Sequence, residues 1–151
     1  MSLVVSSMDA RTRTTRKHLQ SLEVPVAPLE VQDSLLPDGM AQIDPGDVTL
    51  KGFSKRASDA RESFFVTNHT AHRMSAVRLL LRYTTMSGEL LTQRLVNVPV
   101  SLKPGETRLV EVKSFDVQRL FYYYAGPKPR KQATPFKVAY RLAGYDIPVG
   151  N

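Results

Sequence analysis

From Asp47 onward the chain repeats one pattern, short runs in which apolar side chains fall on every second residue. Val77, Leu79, Leu81 and Tyr83 alternate with Arg78, Leu80, Arg82 and Thr84. Phe136, Val138, Tyr140 and Leu142 alternate in the same way with Lys137, Ala139 and Arg141. A two-residue period sends successive side chains to opposite faces of a β-strand. It predicts a core built from those residues together with Phe64, Val66, Val110 and Val112, and places Arg78, Arg82, Lys137 and Arg141 in solvent.

The runs are separated by turn chemistry. Met86-Ser87-Gly88-Glu89 joins Val77–Thr84 to Leu90–Val100, the strongest hairpin signal in the chain. Lys103-Pro104-Gly105-Glu106 forms a second sharp turn, with proline presetting φ and glycine tolerating a positive one. Asn68 ends the run from Phe64 and is placed for an Asx turn onto Thr70. With Val48–Phe53, Leu109–Lys113, Val117–Tyr124 and Pro135–Leu142, seven runs result, and no helical period lies between them. The expected fold is all-β, a two-sheet antiparallel sandwich of about seven strands.

Residues 1–46 read differently. Pro25, Pro28, Pro37 and Pro45, with Gly39 and Gly46, punctuate this stretch too often for continuous secondary structure. Arg16–Glu23 has room for two helical turns, and Leu29–Leu36 could dock as an added edge strand. The chain is therefore divided into an N-terminal tether, 1–46, expected to add little stability, and a sandwich domain, 47–151. The tether holds four basic and six acidic residues, whereas the domain holds seventeen and eight, so the domain alone is net +9.

Several function classes lack their residues. The absence of cysteine excludes disulfides, thiolate zinc sites and a thiol nucleophile. The histidines are His18, His69 and His72, and no third ligand accompanies the last two. No G-x-S-x-G elbow, P-loop or G-x-G-x-x-G is present, and the eight domain carboxylates are scattered. The expectation is a non-enzymatic protein with no cofactor and no metal. No run approaches the length of a transmembrane helix. The expected location is the periplasm or cell envelope if an export signal lies upstream, and the cytoplasm otherwise.

The series Phe65-Val66-x-Asn68-x-Thr70, Val77-x-Leu79-x-Leu81-x-Tyr83, Gly88 and Leu102-x-Pro104-Gly105-Glu106-Thr107 resembles the FxLYD-like bacterial immunoglobulin-like domains. Phe121-Tyr122-Tyr123-Tyr124 and Gln132-Ala133-Thr134-Pro135 resemble the last strands of uncharacterised, envelope-associated members. The likeness implies an immunoglobulin-like sandwich serving as a structural or adhesion-type interaction module. It brings no catalytic residues.

One segment invites a sharper reading. Phe121–Tyr124 is followed by Lys128, Arg130 and Lys131, and no acid occurs from residue 127 to 141. Alternation sends two of the four aromatics outward. Exposed rings beside cations suit stacking combined with capture of an anion. Tyr122, Tyr124, Lys128, Arg130 and Lys131 are the candidate contact residues. The expected partner is a protein or a glycan. The alternative is nucleic acid bound by a basic cytosolic protein, although no RNP motif or recognition helix accompanies the segment.

Overall fold

The computed structural model describes residues 24–30 and 40–149. The helical turns expected over 16–23 and most of the 29–36 stretch lie outside the described residues. The strands are β1 (Ala27–Pro28), β2 (Val48–Ser54), β3 (Arg61–Asn68), β4 (Met74–Thr85), β5 (Leu90–Leu102), β6 (Thr107–Lys113), β7 (Phe121–Tyr123) and β8 (Thr134–Asp146). They form two sheets, one ordered β2-β3-β6 and the other β8-β4-β5, with β1 and β7 sharing the outer edge of β8. The all-β, two-sheet sandwich expected from the alternation is the fold.

The inward register is the predicted one. Phe64, Val66, Val77, Leu79, Leu81, Tyr83, Val110, Phe136, Val138 and Tyr140 are buried, and Val112 is half-buried against them. In β2 the register shifts after Lys51, where Gly52 adopts φ 66, a bulge that turns Phe53 inward. Phe53 meets Tyr123 at 4.8 Å and Phe136 at 6.1 Å between ring centroids, so both sheets and β7 contribute to one aromatic cluster. Asn68 makes its Asx turn, Oδ1 accepting from the Thr70 amide at 2.8 Å. Its amide nitrogen donates to the carbonyls of His72 and Leu102, which satisfies a fully buried side chain.

Three expectations are corrected. Arg78, Arg82 and Arg141 are only partly exposed, because long side chains on neighbouring strands crowd the outer face. Arg78 lies across Gly144 and pairs with Asp146 at 3.0 Å, while Arg82 donates to Gln93 at 2.7 Å. The strand expected over 117–124 is confined to Phe121–Tyr123. The Asp116 carboxylate accepts from the amides of Leu120 and Phe121, and Arg119 sits at φ 60, so the residues before β7 form a turn. Finally, β1 and β7 run parallel to β8, whereas the other pairings are antiparallel.

Part of the segment read as a tether lies against the sandwich. The Val26 amide donates to Leu50 on β2, Gly52 returns a bond to Val24, and the Leu29 amide donates to Tyr140 on β8. Residues 24–29 thus pass from the edge of one sheet to the edge of the other, burying Val26 and Leu29. An edge is where a strand containing Pro25 and Pro28 can pair, since proline offers no amide to a central ladder.

Candidate functional site

The crossover between β7 and β8 gathers the candidate residues. Alternation does not hold through Phe121–Tyr124. Tyr122 and Tyr123 are both buried, Phe121 is half-buried, and Tyr124 is 42% exposed. Tyr123 enters the aromatic core, where burial pushes its hydroxyl pKa up to about 12. Tyr122 is buried too, and the returning chain, Lys128 to Ala133, lines with it an open hollow of about 390 Å³. The Tyr124 ring stands edge-on to Tyr123 at 5.1 Å, and Lys137 Nζ lies over it at 5.6 Å.

Lys128, Arg130 and Lys131 are all exposed. They border both the hollow over Tyr122 and a second one of about 480 Å³, whose far wall is Arg56, Ala57 and Ser58. Lys131 Nζ donates to the Arg119 carbonyl at 3.0 Å, tying the crossover to the turn before β7. Arg56 is held by Asp59 at 3.2 Å. From residue 117 to 145 there are six cations and no acid. Of the five candidates, then, Lys128, Arg130 and Lys131 share two surface hollows, Tyr124 is exposed beside Lys137, and Tyr122 is buried.

Beneath this face lies a polar chain that sequence reasoning missed. Glu62, fully buried on β3, accepts from Tyr83 Oη at 2.5 Å and Arg94 at 3.0 Å through Oε1. Through Oε2 it accepts from Ser114 Oγ at 2.9 Å and the Phe115 amide at 3.0 Å. Ser114 Oγ in turn accepts from the Asp116 amide. Asp116 pairs with Lys55 at 2.8 Å, both side chains being almost wholly out of solvent. Lys55 Nζ also donates to the carbonyls of Arg56 and Phe121.

Every charge in this chain is opposed and hydrogen-bonded, the condition for holding charges in an interior. Burial pushes the Tyr83 hydroxyl far above its usual range, and the neighbouring Glu62 carboxylate adds to the effect. Burial also raises the Asp116 carboxyl, but Lys55 and the amides of Leu120 and Phe121 outweigh it and hold the group below its usual range. Chemically, the two carboxylates act as staples. They fasten the turn at 114–120 and the β2–β3 loop beneath the basic crossover.

Elsewhere, His69 Nε2 meets Thr49 Oγ1 at 2.7 Å on the surface, and His72 is exposed. Among the described residues no group of three potential metal ligands gathers, and no helix is long and apolar enough to cross a membrane. No protein-family model and no curated protein matches the chain. The crystal structure of Campylobacter jejuni cj0090 is similar over 72% of this chain and 92% of that one, at 13% sequence identity and a TM-score of 0.30.

Proposed function

We propose that the chain is a non-enzymatic interaction module of the immunoglobulin-like type, akin to the FxLYD-like bacterial domains, working at a cell envelope. The strand arrangement supports the first part. Paired strands β2-β3 and β4-β5 lie in different sheets, and the chain then crosses to β6 and back to β8, an interleaving found in Greek-key sandwiches.

The observation that carries the reading is the crossover itself. Lys128, Arg130, Lys131 and Tyr124 stand exposed on a connection whose base is stapled from below by Lys55–Asp116. Conserving such a face in one geometry lowers the ordering cost of a contact. The test is capture from a bacterial envelope fraction on immobilised protein, wild type against K128A/R130A/K131A. The wild type should retain a component that the variant loses at low salt, with the melting temperature unchanged. A stable variant that retains every component would move the contact surface elsewhere.

A further inference from the structure

The turn before β7 exposes apolar side chains that nothing in the fold explains. Val117 is 76% exposed and Leu120 is 50% exposed. Neither is displayed by slack chain, because Asp116 accepts from the amides of Leu120 and Phe121 and is itself buried against Lys55. The turn is therefore a fixed projection with an apolar tip. Two cations are held at it, and two more follow on the crossover. Arg119 lies between the two apolar residues, Lys131 reaches back to the Arg119 carbonyl, and Lys128 and Arg130 occupy the same crossover. No carboxylate follows Asp116 until Asp146.

We infer that this end of the sandwich docks on the surface of an anionic lipid bilayer, Val117 and Leu120 entering the interface while Arg119, Lys128, Arg130 and Lys131 meet the headgroups. The inference goes beyond the partner contact proposed above. It shares the basic crossover with that reading and adds the apolar turn. An apolar tip beside a cluster of cations matches what a membrane surface offers, hydrocarbon just beneath a layer of negative charge. A phosphate chain in water would reward the cations alone. A single-stranded nucleic acid would want successive open rings, and Tyr124 is the one markedly exposed ring in the Phe121–Tyr124 run. A rigid tip inserts without first ordering itself, which favours binding.

Co-sedimentation with vesicles tests this on the full chain. Phosphatidylcholine mixed with phosphatidylglycerol should bind the protein, and phosphatidylcholine alone should bind it at least about tenfold more weakly. V117S/L120S keeps every charge, so its melting temperature should match the wild type while its partitioning falls about tenfold. K128A/R130A/K131A should lose the preference for anionic vesicles, and high salt should do the same to the wild type. Failure of the wild type to sediment with anionic vesicles would overturn the inference. So would a V117S/L120S variant that sediments as well as the wild type, since the face would then recognise charge alone. Envelope components captured equally by V117S/L120S would leave the proposed contact standing while the bilayer reading fell.

Discussion

Lys55 and Asp116 form an ion pair 2.8 Å long inside the sandwich, sixty-one positions apart in sequence and on the two loops that meet at the end of the β3–β6 ladder. Lys55→Met leaves the Asp116 carboxylate buried with its amide donors but no counter-charge. The expected loss is about 3 to 5 kcal/mol, read from urea unfolding. The double variant K55M/D116L removes both charges and should recover much of that loss.

Acid should loosen the same contact. The folded Asp116 carboxyl titrates below its usual range, so its contribution is fully present above the unfolded value of about 3.9 and is lost as pH falls through the folded one. Glu106, lowered by the Lys103 amide and the Arg108 guanidinium, adds to the same limb. Unfolding free energy should therefore fall as the pH drops below about 4. The fall should be shallower in D116N, as urea midpoints across that range would reveal.

Neighbouring tyrosines should behave unequally. Tyr123→Ala opens a hole among Phe53, Phe136 and Tyr124 and should cost about 3 to 5 kcal/mol. Tyr124→Ala, at a position 42% exposed, should cost far less and mainly release Lys137. Thermal melts of the two single variants decide it.

The N-terminal strap, residues 24–29, should matter more than its proline spacing suggests. Leu29→Ala removes a side chain that is 7% exposed against β8 and should cost about 2 kcal/mol or more. A chain beginning at Asp44 loses Val26, Leu29 and Met40 together, so its melting temperature should drop by more than a few degrees. A drop within a few degrees would return the segment to the status of a tether.

The architecture was legible because the alternation in β4 and β8 is strict and each strand has one dry face. The polar chain was legible in part. Glu62 is in phase with Phe64, Val66 and Asn68, and Arg94 with Val96, Val98 and Val100, so two opposite charges occupy inward positions on different strands. What no pattern could supply was their meeting, since that depends on how the sheets are stacked. Tyr122 escaped for a related reason. Alternation assigns a side chain to a face, but whether another loop then covers that face is decided ten residues later, by Lys128 to Ala133. The strap was obscured by its prolines, which argue against a helix or central strand yet allow an edge.

The pairing of Ala27 with Ala139 has a consequence for how the molecule assembles. The β4–β5 hairpin joins neighbours in sequence, closes a short loop and can form early. Residues 24–26 can likewise join β2 early, through Leu50 and Gly52, but residues 27–29 have no such option. The partner of Ala27 and Pro28 is the last described strand, so the entropy of closing nearly the whole domain must be met before the bonds to β8 form. During synthesis, residues 27–29 emerge long before β8 exists to receive them, and must wait unpaired while the two sheets are laid down. Stepwise folding would therefore show a species with both sheets paired and one side of the sandwich still open. A segment made at the start is thus completed only by the strand made at the end.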